Sequence, residues 1–169
     1  MTLVTSPASP RPWSHDPSVL AQDYLVINDN RGKGEIVMLV WIAPQMTPDP
    51  AAREKLTELL GKYVLVGVAD AHIQQATGLP SFDKFGALTA QDAAGHQLQL
   101  IDESNLPPTM AGGIVTLQGV FAKTLGPLGQ GVNWFVFDAG SVAPCSKGRL
   151  SIPLAGETYT WDTPIPGCS

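Results

Sequence analysis

Residues 35–43 read EIVMLVWIA, and every position from Ile36 to Ile42 is apolar. A strand with one solvent-facing side alternates apolar and polar residues, whereas an unbroken apolar run indicates that both faces are covered. We therefore predict that this stretch is the central strand of a sheet. Residues 22–28, QDYLVIN, precede it across a loop with two glycines, which predicts a β-hairpin. The run is far too short for a bilayer-spanning helix, which needs ~20 residues, so no membrane span is expected.

Downstream of the central strand, one segment has helical signals. Asp49 or Thr47 can cap a helix, Pro50 is tolerated in its first turn, and Gly61 can end it. We predict one short helix over residues 50–60, inserted between two strands.

The rest of the chain predicts strands. We expect them over residues 63–73, 112–124 and 132–140, with a hairpin that turns at Asp92 to Gly95. There is no regular alternation of strands and helices, Gly (17) and Pro (15) are enriched, and charged residues make up only 15%. These features favour an all-β, mostly antiparallel sandwich. Residues 1–20 are predicted to be an extended N-terminal arm, and residues 21–169 a single β-sandwich domain.

Residues 145–168 begin and end on the only two cysteines of the chain. A turn at Gly156 and Glu157 would place Cys145 opposite Cys168 and gather one set of large apolar residues on a single face. That set is Leu150, Ile152, Leu154, Tyr159 and Trp161.

The two cysteines allow three interpretations: a disulfide, two unrelated thiols, or a metal or redox pair. We expect the disulfide, since the sequence has neither a CxxC motif nor a neighbouring histidine. Disulfides persist outside the reducing cytosol. The prediction for localisation is therefore periplasmic or extracellular, although no signal peptide is visible in the chain.

The alternating strands, the late cysteine and the closing YTW hairpin are similar to those of bacterial immunoglobulin-like β-sandwich domains. The resemblance extends over residues 23–168. It implies a binding, adhesion or assembly module and carries no active site.

The charge pattern limits the classes of partner that we expect. Ten Lys and Arg residues are scattered among 15 acidic ones, for a net charge of −5. Nucleic acids and anionic membrane surfaces call for a basic patch, so neither is expected as a partner. An unknown protein or a small apolar ligand remains, and the oligomeric state is left open.

Two sets of residues could carry a function. Asp70 and His72 point to the same face of a strand, where a carboxylate could orient an imidazole for base catalysis or metal binding. Trp134 and Phe135 are consecutive, so one of the rings could join an exposed apolar binding patch unless both faces of the strand are covered. No metal site or cofactor motif is recognised, and the methionines and histidines do not have the spacing of a copper site.

The sequence therefore predicts a non-catalytic extracytoplasmic binding or protein-interaction module. The alternative is a hydrolase or metal-dependent enzyme that uses Asp70 and His72.

Overall fold

The computed structural model of the protein describes residues 24–28 and 34–168. In chain order its strands and helices are β1 (Leu25–Asn28), β2 (Glu35–Ile42), α1 (Pro50–Leu60), β3 (Tyr63–Ile73), β4 (Pro80–Phe82), α2 (Pro108–Leu125), α3 (Pro127–Gln130), β5 (Asn133–Asp138), β6 (Gly148–Leu154) and β7 (Glu157–Thr163). The predicted arm at residues 1–20 lies outside the described residues.

Five strands form one antiparallel sheet around β2 and β3. β1 and β3 flank β2, and the far side of β3 pairs with β5 at one end and with β4 at the other. The predicted hairpin and central strand are confirmed: β2 is bonded on both edges and is buried from Val37 to Ile42.

Both faces of this sheet are covered by apolar side chains. Val37, Leu39 and Trp41 of β2 belong to the same buried cluster as the hairpin of β6 and β7, in which the rings of Trp41 and Trp161 meet edge to face at 6.3 Å. The alternate residues of β2, Met38 among them, belong to a second buried cluster with apolar residues of helices α1 and α2. The unbroken apolar run of β2 thus follows from two separate cores, one on each face.

Helix α1 occupies the predicted residues. The Asp49 carboxylate accepts a hydrogen bond from the Ala51 N–H at 3.1 Å, Pro50 is the first residue, and the chain leaves the helix at Gly61 with a positive φ of 49°. Each residue meets a requirement of a helix end that depends only on its neighbours in the chain. Asp49 accepts from a free main-chain N–H, Pro50 stands where no N–H partner exists, and Gly61 adopts the positive φ that ends the helix.

The strand predicted over residues 112–124 is wrong, because this segment belongs to the long helix α2. Its β-branched residues favoured a strand and its glycines disfavoured a helix, but its larger apolar residues recur every three or four positions and pack against the sheet. Those residues are Met110, Ile114, Leu117, Phe121 and Leu125. A helical spacing of this kind places all of them on one face. Besides the single helix predicted for the fold, the described residues therefore contain the longer helix α2 and the four-residue helix α3.

The closing hairpin has the predicted faces but a different register. Leu154 pairs with Glu157 and Ile152 with Tyr159, so the turn residues are Ala155 and Gly156, with φ of 50° and 81°. Two successive left-handed residues fit the right-handed twist of a two-residue hairpin turn. Because the partners shifted by two residues, each side chain kept its side of the ladder, and the predicted apolar face is buried.

The predicted disulfide is confirmed. Cys145 and Cys168 lie beyond the last pair of the β6–β7 ladder, with their Cα atoms 5.3 Å apart and their sulfurs bonded. Ile165, in the returning segment, is buried and donates its N–H to the Pro144 carbonyl at 2.9 Å. Backbone contacts thus bring the two cysteines together.

The turn predicted at Asp92 to Gly95 is present and is organised by one carboxylate. Asp92 accepts hydrogen bonds from the N–H groups of Ala94 and His96 and from the Ser141 hydroxyl, at 2.9 to 3.0 Å. Burial alone would raise the pKa of Asp92, but these hydrogen bonds stabilise the anion and hold its pKa below the ordinary value of 3.8.

The predicted class, mostly antiparallel β-structure with few helices, is confirmed. An immunoglobulin-like sandwich divides about seven strands between two sheets. Here the described residues place five strands in one sheet and two in the other, and helices cover the outer face of the larger sheet. No helix in the described ranges is long and apolar enough to cross a membrane.

Candidate functional site

A polar cluster lies where β2 begins and β3 ends. Asp70 and His72 point to the same face of β3, as predicted, and Glu35 pairs directly with His72 across the β2–β3 ladder. The ligand atoms of these three residues all lie within 4.8 Å of one another. The pattern of β3 alone indicated two members of the cluster, whereas Glu35 joins it through the strand register.

The members of the cluster differ in exposure. The Asp70 side chain is 4% exposed and that of His72 is 44% exposed, with Nε2 3.7 Å from the Asp70 carboxylate. The same nitrogen lies 3.3 Å from the carboxylate of Asp83, in the segment that follows β4. One imidazole and carboxylates from three segments therefore meet at the rim of the sheet, an arrangement with suitable ligands for a divalent cation.

The cluster lacks an activated hydroxyl nucleophile among the described residues. Ser81 is the partner of His72 in the β3–β4 ladder, but its hydroxyl donates to the main-chain carbonyl of His72 at 3.3 Å and not to the imidazole. In a serine hydrolase the hydroxyl is hydrogen-bonded to the imidazole that accepts its proton.

The second predicted pair, Trp134 and Phe135, lies on β5 and points to opposite faces of the sheet. Phe135 joins the core beneath the hairpin and meets Phe85 edge to face, with ring centroids 6.5 Å apart. Trp134 lies on the helical side, where its Nε1 donates to Gln118 Oε1 at 2.7 Å and its ring meets Phe121. Both faces of β5 are therefore covered.

The position of Trp134 depends on Gly67, its partner across the β3–β5 ladder. A Cβ atom at residue 67 would lie 2.8 Å from Cζ3 of the indole, closer than side chains approach one another. Glycine at this position lets the indole pack closely against β3.

Trp134 and Phe135 both line a cleft of about 550 Å³ between the outer edge of β5 and the first half of α2. Its apolar walls come from Phe85, Leu100, Leu106, Ile114 and Val115. Val115 is 73% exposed, so its side chain presents apolar surface to solvent at the edge of the cleft.

One rim of this cleft is acidic. Asp102 and Glu103 line it, both residues are exposed, and no lysine or arginine is among the lining residues. The segment that contains them turns away from β5 in a short 3-10 helix at Glu103–Asn105. The cleft therefore combines apolar walls with a negative entrance. Sequence reasoning found Trp134 and Phe135 but not this rim, because residues 100–106 meet β5 only in the folded chain.

No protein-family profile, curated protein or solved structure matches this chain. The chain thus has two candidate sites, the cluster of Glu35, Asp70 and His72 and the cleft beside Trp134.

Proposed function

We propose that this chain is a non-catalytic binding or protein-interaction module of the periplasm or extracellular space, and that the cleft beside Trp134 is its binding site. The observation that carries the proposal is the cleft itself. Its volume of about 550 Å³ falls in the range of ligand-binding pockets, roughly 300 to 1,000 Å³, and most of its lining residues are apolar, although polar atoms supply nearly half of its lining surface.

Other features of the fold support this function. Two sheets packed face to face would serve, as in immunoglobulin-like β-sandwich domains, as a rigid support for a site at one edge. The disulfide between Cys145 and Cys168 is consistent with an oxidising compartment.

The test uses N-phenyl-1-naphthylamine, a neutral apolar dye that fluoresces when it leaves water. We expect saturable binding, weakened by about tenfold in Val115→Asp, because a carboxylate at the rim must lose water when the dye binds. The matched control is Val120→Asp, since Val120 lies on the same helix, is 42% exposed and does not line the cleft. Equal weakening by the two substitutions, or fluorescence that never saturates, would refute the assignment of the site.

A second candidate function is metal-dependent chemistry at Glu35, Asp70 and His72. The observation that favours it is the approach of their ligand atoms to within 4.8 Å. Two observations count against it. Glu35 and Asp70 already have interactions within the protein, and His72 does not line the cleft beside Trp134.

Calorimetric titration with zinc chloride separates the two functions. Metal chemistry at this cluster requires one equivalent of zinc to bind and His72→Ala to abolish that binding. His96→Ala is the control, because His96 is also exposed and lies beside a carboxylate, that of Asp92, at 3.3 Å. Zinc binding that survives His72→Ala, or that never occurs, rejects the second candidate.

A further inference from the structure

The outer edge of β5 is only partly paired. The segment through Leu100 runs antiparallel to it: the Asp138 N–H donates to the Gln99 carbonyl at 2.9 Å, and the Ile101 N–H donates to the Val136 carbonyl at 2.8 Å. These bonds show that Val136 and Asp138 direct their main-chain groups away from β3.

The same direction holds for Trp134. The N–H and C=O of a strand residue point to the same side, and the side alternates from one residue to the next. Trp134 is two residues from Val136 in a regular ladder, so its N–H and C=O also face the outer edge. The chain turns away after Ile101, and no hydrogen bond to these two groups exists within the described residues.

The surroundings of this open edge suit one kind of occupant. The main-chain groups of Trp134 open into the cleft, between the aromatic ring of Phe85 on one side and the exposed Val115 on the other. The carboxylates of Asp102 and Glu103 stand where the paired segment departs, and neither has an ion-pair partner in the described part of the chain.

We propose that the β5 edge at Trp134 binds an extended peptide segment of a partner protein, with apolar side chains in the cleft and a basic side chain against Asp102 and Glu103. This inference rests on the proposed binding function and names its ligand class. The peptide continues the line of residues 99–101, exchanging main-chain hydrogen bonds with Trp134 as an added strand. Alternate side chains then face the helix and the Phe85 side, and the basic group gives the acidic rim its missing counter-charge.

The probe is a blocked seven-residue peptide of valine and threonine with a single lysine at the end that would meet Asp102 and Glu103. We expect it to bind, and we expect two control peptides not to bind: one with glutamate in place of lysine, and one that is N-methylated throughout and lacks every main-chain donor. Asp102→Asn with Glu103→Gln should weaken the binding, whereas Glu54→Gln with Glu58→Gln, the same charge change on α1, should not.

Two protein variants isolate the main-chain contact. Trp134→Pro and Trp134→Ala both remove the indole, but only proline removes the N–H, and that N–H is not used in the ladder with β3. We expect Trp134→Pro to bind the peptide roughly three- to tenfold more weakly than Trp134→Ala, the effect of one hydrogen bond. Equal affinity of the two variants, or undiminished binding of the N-methylated peptide, would overturn the proposal. Neither peptide control depends on how well the proline variant folds.

Two further outcomes are decisive. The oligomeric state is measured by light scattering coupled to gel filtration. A dimer that dissociates in the Trp134→Pro variant would overturn the peptide assignment, since a second copy of the chain would then occupy the edge. If the naphthylamine dye enters the cleft but the peptide does not bind, the binding function stands and the peptide proposal fails. If neither binds, both proposals fail.

Discussion

Removal of the disulfide tests how the closing hairpin is held. The change is the double substitution Cys145→Ser and Cys168→Ser. The bond joins residues separated by 23 positions, and the chain-entropy relation for a loop of this length predicts a loss of about 3.4 kcal/mol from the free energy of unfolding. With a urea dependence of ~2 kcal/mol per molar, the unfolding midpoint should fall by about 1.7 M.

The folded state of the variant should differ little from that of the parent protein. The side chain of Trp161 is fully buried between the sheets, Ile165 is buried as well, and the Tyr24 hydroxyl donates to the Pro166 carbonyl at 3.0 Å. These contacts hold the hairpin and much of the returning segment without the disulfide. The loss of stability therefore arises mainly because the unfolded chain gains conformational entropy. Tryptophan fluorescence and near-ultraviolet circular dichroism should therefore match before unfolding begins.

The assay is equilibrium unfolding in urea, followed by tryptophan fluorescence. Cys168→Ser alone is the control and should give the same loss, because either substitution removes the bond. A loss above ~5 kcal/mol would show that the cysteines hold native contacts directly, and one below ~1 kcal/mol would show that the bond does not restrict the unfolded chain. Alkylation of the oxidised protein without reductant, followed by mass spectrometry, should modify neither cysteine. Modification of both would refute the disulfide and the compartment inferred from it.

Three further outcomes are expected. Tyr159→Phe removes a buried hydroxyl that accepts a hydrogen bond from Asn28 at 3.0 Å, and it should lower the free energy of unfolding in urea by about 1 to 3 kcal/mol; an unchanged midpoint would contradict this. Gly67→Ala should cost about 1 to 3 kcal/mol and shift the indole resonances of Trp134 in NMR spectra, because the new Cβ would overlap the ring; unshifted resonances would count against the packing described. The carboxyl of Asp92 should titrate below 3.8 when followed by NMR, and its contribution to stability, present above that pH, should disappear as the pH falls through the lowered pKa; a midpoint at or above 3.8 would contradict the hydrogen bonds of the turn.

The features that sequence reasoning predicted depend on residues that are close together in the chain. The ends of α1 follow from Asp49, Pro50 and Gly61, and the hairpins follow from turn residues between apolar runs. Even the wrong register of β6 and β7 left the buried face correct, because a shift of two partners preserves the alternation of sides.

Helix α2 shows where local patterns fail. Its β-branched residues and glycines have poor helix propensity. The sequence-based prediction gave this propensity more weight than the three- and four-residue spacing of residues such as Met110, Ile114 and Phe121. The helix packs that apolar stripe against the otherwise open face of the sheet, where Met38 and Leu65 lie. Tertiary packing overrides propensity when it buries this much apolar surface.

By itself the sequence determined β1, β2, β3, β5 and the closing hairpin of β6 and β7, the first helix, the pairing of the two cysteines and the common face of Asp70 and His72. All of these follow from short-range stereochemistry, or, for the disulfide, from the presence of only two cysteines in the sequence. Only the tertiary structure decided that Glu35 meets His72, that α2 covers the sheet, and that the segment at residues 99–101 leaves β5 before Trp134. The reason is physical: each of these depends on strand register or on contacts between segments far apart in the chain, and register is set by the packing of whole faces and not by any residue alone.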